Sequence, residues 1–312
     1  MQEVIFTFKS FKAEIPNYLQ SLRFRKLSVN TIRSYEYDLK HWTEALTVLL
    51  DENGEITKND IRKATCIIGK RQIEKTTLIR KIYTLRLFTR FLYRVKKWPI
   101  DLGTNLRAPK KPAKLPKFIP ETDLLAAFSK SFDKDNFYEM RDQCMLQLLY
   151  GCGLRLSELS NLDIQDIQLG TGWLLVKGKG GKVRHMPLGE ITMSYIRMYL
   201  KLRVYMSARR ALFITTGRKR IGNRQIQIRL KKWFNDRGYF EEVNTHMLRH
   251  SFATHLLRNC CYINAIQQLL GHEKLSTTQL YTSVNITHIK TEYNKCHPRA
   301  FLKEPIRKNK VG

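Results

Sequence analysis

Acidic residues are scarce in this 312-residue chain, with 27 Asp and Glu against 56 Lys and Arg and a formal net charge of +29. That shortage disfavours a metal-dependent nuclease, which needs clustered carboxylates or a His-rich ligand set to hold its ions. Cysteine is sparse too. Cys66, Cys144, Cys152, Cys260, Cys261 and Cys296 form no Cys-x-x-Cys pair and no disulfide scaffold, and read as reduced, mostly buried thiols of a cytoplasmic protein. No uncharged apolar run approaches the roughly 20 residues that span a bilayer. The opening Met1 to Lys9 lacks a basic segment followed by a long apolar run, so it does not read as a signal peptide, and no membrane insertion is expected. Also missing are a Gly-x-Gly-x-x-Gly turn, a Gly-x-x-x-x-Gly-Lys-Ser/Thr loop and a His-Glu-x-x-His helix. His246, His250 and His255 are the only conceivable zinc set. Neither a metal nor a cofactor is expected.

What is abundant is positive charge and helical periodicity. Folding gains nothing from self-repulsion on this scale, so a polyanionic partner is the simpler explanation, nucleic acid ahead of an anionic membrane or a ribosome-like surface. A hydrophobic content of 43% supports two domains with cores of their own. Ser28 or Asn30 caps a helix carrying Ile32, Tyr35, Leu39, Trp42 and Leu46 on one face, which Asp51-Glu52-Asn53-Gly54 ends. A second long helix runs from near Thr77 to about Val95, with Leu78, Ile82, Leu85, Phe88, Leu92 and Val95 on its buried side. Arg86, Arg90 and Arg94 gather on another side. Like charges at that spacing repel, and phosphates laid along them reverse the sign. Residues 107–117 hold three prolines among basic residues, including Lys110, Lys111 and Lys114, and read as an extended strap between domains. Beyond it, Pro120 opens a helix, Met140 to Tyr150 forms an apolar one, and Trp173–Lys177 and Val183–Leu188 form a hairpin with a glycine-rich tip.

The groups able to do chemistry lie in this second half. Arg155 follows Gly151-Cys-Gly-Leu, and its planar guanidinium suits bidentate donation to a phosphate. Glu158, three residues on, is near enough to buttress it. Lys179 sits at the hairpin tip, where an ammonium can protonate a leaving alkoxide; Lys177, Lys182 and Arg184 flank it as candidate backbone contacts. His246 and Arg249 share one face of a helix capped by Asn244 or Thr245, giving a proton acceptor and a second clamp. His250 and His255 read as packing residues. A helix over 263–270 ends at Gly271 before His272, and a capping box at Ser276 to Gln279 starts the helix bearing Tyr281. A phenol is a poor nucleophile at its reference pKa of about 10, so it needs such arginines and a proton acceptor beside it. Tyr293 is the nearest alternative.

These stretches resemble the tyrosine recombinase family, near its Xer branch. The matching residues are Gly151 to Leu159, Val176 to Leu188, His246 to Leu257 and Leu269 to Thr282, with Lys26 to Tyr35 and Cys296 to Ala300 marking the two ends. The resemblance covers roughly residues 15–300. It implies a mainly α fold with a small β-hairpin or sheet: a four-helix SAM-like core-binding domain over 15–106 behind an extension, 1–14, then the strap over 107–117, a catalytic domain over 118–300 and a basic tail over 301–312. The two domains are expected to form a C-shaped clamp on DNA. It implies that Arg155, Lys179, His246, Arg249 and His272 surround the scissile phosphate. Tyr281 then forms a 3′-phosphotyrosyl link, Glu158 gives support, and strands are exchanged through a Holliday junction. The implied partners are a short pseudo-palindromic DNA site, a tetramer with itself or a second recombinase, and a septal DNA translocase, in a cytoplasmic, nucleoid-associated setting. The last helix, read as capped by Asn285 with Ile286, Ile289 and Tyr293 on one face, is implied to dock into a neighbouring subunit. Departures such as Gly151-Cys152-Gly153 before Leu-Arg keep an integrase of a phage, plasmid or transposon as the alternative role.

Overall fold

The computed structural model describes residues 6–110, 117–178, 182–204, 210–239, 241–259, 263–270 and 283–300. The chain divides into two units, Met1–Lys114 and Leu115–Gly312, each with its own hydrophobic core.

The first unit is helical: α1 (Phe8–Ala13), α2 (Ile15–Phe24), α3 (Val29–Thr47), α4 (Lys58–Gly69) and α5 (Lys75–Val95). Ser28 is the N-cap of α3, its hydroxyl accepting from Thr31 N. Thr57 and Asp60 form a reciprocal capping box that starts α4. The apolar stripe of α3 is buried at Ile32, Leu39, Trp42 and Leu46, and it faces the stripe of α5 at Ile82, Leu85, Phe88 and Leu92. Val95, read as the end of that stripe, is instead 60% exposed, because it lies in the last turn of α5 beyond its neighbours. A larger correction concerns residues 6–14 of the expected extension. They are no loose extension: Phe8 and Phe11 on α1 are fully buried, and the backbone of Phe8 and Lys9 donates to Gly54 O and Glu52 O. Each such phenyl ring contributes about 1.5–3 kcal/mol by leaving water. Among the described residues, α1 therefore adds to the helices α2 to α5 in building this core.

The second unit continues with α6 (Glu121–Ser129), α7 (Phe137–Gly151) and α8 (Leu156–Ser160). A three-stranded antiparallel sheet follows, in the order β1 (Ile167–Gln168), β2 (Trp173–Lys177) and β3 (Val183–Pro187). The expected hairpin pairs Lys177 with Val183 and Trp173 with Pro187; the two-residue β1 is too short to be legible by alternation. The remaining helices are α9 (Glu190–Val204), α10 (Asn223–Asn235), α11 (Thr245–Arg258), α12 (Ile263–Leu270) and α13 (Ser283–Cys296). α7 is buried all round and forms the spine of the unit, packed by α9 and α11.

α13 corrects one expectation. Asn285 lies inside the helix rather than capping it. Ile289 and Tyr293 of the expected stripe, and Cys296, are buried in the core of their own unit, against α11 and β3, while the side chain of Ile286 lies outside the described residues. The Tyr293 hydroxyl donates to Gly151 O at 3.0 Å, and Ala300 O accepts from Glu190 N at 2.7 Å, pinning the segment that follows.

Candidate active site

Arg155 is placed by the turn that ends α7. Gly153 has φ +55°, and a Cβ there would meet the Phe252 ring at 2.5 Å, so only glycine fits between helix end and ring. The next two residues bring Arg155 to the N-cap of α8. Glu158, in the first turn of α8, accepts from Arg155 N and from Arg155 Nη1, both at 2.8 Å. The guanidinium stays 40% exposed while the carboxylate is almost fully buried. The buttressing geometry read from the i,i+3 spacing is therefore present.

Arg184, by sequence a candidate DNA contact, is engaged elsewhere in the structure. It points inward from β3, its side chain 7% exposed. Nη1 and Nη2 donate to the two oxygens of Glu158 at 2.8 Å each, and Nε donates to Leu269 O at 3.0 Å. A residue committed in this way has no access to a DNA backbone. Burial raises the Glu158 pKa, but the hydrogen bonds and charge of Arg184, together with those of Arg155, outweigh it and hold the carboxyl at about 2.

Asn244 caps α11, its side chain accepting from Met247 N at 3.0 Å. Arg249, one turn in, is buried and donates to Gly153 O at 2.6 Å and to Leu270 O. It thus ties the Arg155 turn to the end of α12. Burial, and then the neighbouring charge of Arg155, push its pKa down to about 10. An arginine disfavoured in this way by an adjacent arginine marks a place where an anion is electrostatically welcome. His246 is exposed in the first turn of α11, and His250 is exposed as well, not packed. His255 is fully buried, its Nδ1 2.8 Å from the Tyr150 hydroxyl. The described residues contain no group of three or more His, Cys, Asp or Glu side chains arranged for a metal, and the histidines of α11 do not converge.

Lys179, His272 and Tyr281 lie outside the described residues, as do Lys111 and Lys114. The alternative nucleophile is described, however. Tyr293 is fully buried, its hydroxyl engaged by Gly151 O, and burial drives its pKa well above the usual phenol value. Both effects oppose nucleophilic attack. Of the flanking cations, Lys177 is half-exposed and paired with Asp166 at 2.9 Å, whereas Lys182 and Lys110 are exposed. On the first unit, Arg90 and Arg94 are exposed and Arg86 is half-buried. Arg90 and Arg94, with Tyr93, Pro99, Ile100, Asp101 and Thr104, line a shallow hollow of about 360 Å³ at the end of α5. The ion cluster of buried Asp38 with Arg80 and Lys81, which joins α3 to α5, has no local signal in the sequence, because the carboxylate lies 42 and 43 residues before its two cations.

Known proteins supply an independent comparison. Residues 121–288 match the model of the phage integrase family, and residues 15–96 match that of the phage integrase N-terminal SAM-like domain. The chain is 34% identical over 295 residues to the tyrosine recombinase XerC of Neisseria gonorrhoeae, covering 93% of this chain and 97% of that protein. With the XerC of Alcanivorax borkumensis it shares 36% over 280 residues, covering 88% and 90%. In fold it is similar to XerH recombinase bound to a palindromic difH substrate, at a TM-score of 0.67 and 20% identity over 91% of this chain and 81% of that one. It is also similar to a lambda integrase dimer on a core site, at 0.65 and 17% over 86% and 96%. The chain belongs to the phage integrase family of tyrosine recombinases, enzymes that cleave and rejoin DNA through a tyrosine nucleophile without a metal.

Proposed function

We propose that the chain is a Xer-like site-specific recombinase that resolves chromosome or plasmid dimers. In this reading Arg155 and Arg249 clamp the scissile phosphate, and Tyr281 Oη attacks phosphorus to form a 3′-phosphotyrosyl bond. Lys179 gives a proton to the departing 5′-oxygen, while His246 accepts the phenolic proton and His272 steadies the phosphate oxygens. Glu158 supports Arg155 without touching DNA. The covalent bond conserves the phosphodiester energy, and rejoining runs the same steps in reverse with the new 5′-hydroxyl.

The observation that carries the reading is that Arg249 holds the Gly153 carbonyl of the turn leading into Arg155. Burial, and then the charge of Arg155, push the pKa of Arg249 down, and a phosphate shared by the two guanidiniums turns that repulsion into attraction. The near-complete coverage of the XerC relatives favours the Xer role over that of a mobile-element integrase. The partners on this reading are a short pseudo-palindromic duplex, a tetramer with itself or a second recombinase, and a septal DNA translocase, at the nucleoid in the cytoplasm. Arg86, Arg90, Arg94, Lys110, Lys111, Lys114, Lys177 and Lys182 are its proposed backbone contacts.

The test is capture of covalent complexes on nicked suicide substrates carrying candidate sites. The intact chain is expected to form an adduct, and Tyr281→Phe to form none while still binding DNA. An adduct that persists in Tyr281→Phe overturns the assignment.

A further inference from the structure

Glu158 sits between two arginines with different tasks. Its Oε1 accepts from both Arg155 Nη1 and Arg184 Nη1, and its Oε2 from Arg155 N and Arg184 Nη2, all at 2.8 Å. The Arg184 pair is a parallel fork and is buried; the Arg155 contact is single, on a side chain 40% exposed. If Glu158 faced Arg155 alone, its full charge would fall on that guanidinium and compete with any phosphate for it. The Arg184 fork takes up that charge, so Glu158 orients Arg155 without neutralising it. Arg184 also reaches Leu269 O, in the last turn of α12, beside the Leu270 carbonyl held by Arg249. Being on β3, it registers the hairpin against both clamps.

We propose that Arg184 is a positioning residue for cleavage, which neutralises Glu158 so that the charge of Arg155 remains available to the scissile phosphate. This rests on the clamp role of Arg155 given above. A buried ion pair is a weak device for stability, since apolar replacements of similar volume often match it. Charge compensation gives this one a purpose that packing does not.

The experiment measures single-turnover cleavage of a suicide substrate at saturating protein, with DNA affinity and thermal melting in parallel, for Arg184→Met, Glu158→Gln, their double variant and Arg155→Ala. Arg184→Met is expected to cleave about 100-fold more slowly, the scale on which a lost or misplaced transition-state donor acts. Its affinity should stay within about threefold, because many other cations share the backbone contacts. Adding Glu158→Gln removes the stranded carboxylate, and about tenfold of the rate should return. A merely structural role gives no such rescue, since the double variant loses more of the network. Wild-type cleavage by Arg184→Met, a double variant no faster than Arg184→Met, or a loss confined to affinity overturns the proposal. Should Arg184→Met fail to melt cooperatively, Arg184→Gln, which removes the charge but keeps a hydrogen-bond donor, replaces it with the same rescue expected. If Arg155→Ala cleaves like the parent, the clamp reading itself fails, a result distinct from failure of the Arg184 role.

Discussion

Gly153 joins backbone conformation to chemistry at a single residue. Its φ of +55° and its contact with the Phe252 ring leave no room for a side chain, and Arg155 follows two residues later. Gly153→Ala therefore combines a left-handed backbone, costing about 1–2 kcal/mol, with overpacking that costs about 1–3 kcal/mol more. The expected result is a lower melting temperature together with slower cleavage, because relief of the clash moves the Arg155 turn. A variant that is destabilised yet cleaves at the parent rate at low temperature would separate the turn from the clamp. Glu158 offers a second test. Its carboxyl titrates at about 2 in the fold against 4.5 when free. A group whose folded pKa is depressed contributes stability that is complete above the free value and is lost as pH falls toward the folded one. Between pH 4.5 and about 2, melting temperature should thus fall less steeply for Glu158→Gln than for the parent. Parallel curves would show that the carboxylate is not held as the hydrogen bonds imply.

At the scale of elements, α13 bears most directly on how the catalytic unit is built. The buried Ile289, Tyr293, Cys296 and Ala300 make residues 289–300 part of the core of their own unit. Large buried side chains contribute about 1.5–3 kcal/mol each, and a domain as a whole holds only about 5–15 kcal/mol. Truncation after Val284 is accordingly expected to abolish the cooperative melting transition of the second unit while sparing that of the first, as followed by calorimetry. A truncated chain with both transitions intact would restore a docking role for the helix in a neighbouring subunit. Elements were legible in the sequence where local chemistry sets them: the Ser28 cap, the β2–β3 hairpin and the Asn244 cap each follow from residues a few positions apart. Legibility failed where distant residues decide. Phe8 and Phe11 sit on a six-residue helix too short for periodicity, and only the core of its unit reveals their burial. Arg184 lies in a basic run that reads as DNA contact, yet its carboxylate partner stands 26 residues away. Of the candidate site, Arg155, Glu158 and Arg249 are brought together by the fold, through bonds to one another or to a shared turn.

For the whole molecule, the positive excess of +29 belongs to a chain with two separate cores joined by a basic, proline-rich strap. Each unit carries exposed cations, such as Arg90 and Arg94 on the first and Lys182 on the second. If both units engage one duplex, the strap makes the second contact intramolecular. Affinity then exceeds that of either unit through effective concentration rather than through any new bond. Each phosphate neutralised adds about 0.9 to the slope of log affinity against log salt on B-form DNA. The expected outcome is that residues 1–114 and 115–312, prepared separately, each melt cooperatively and bind DNA weakly. Their two salt slopes should sum to that of the intact chain, while their affinities fall well short of it. Titrations at several salt concentrations decide the matter. If the second unit alone reproduces both the affinity and the slope of the intact protein, Arg86, Arg90 and Arg94 face solvent rather than phosphate, and the charge of the first unit serves another partner.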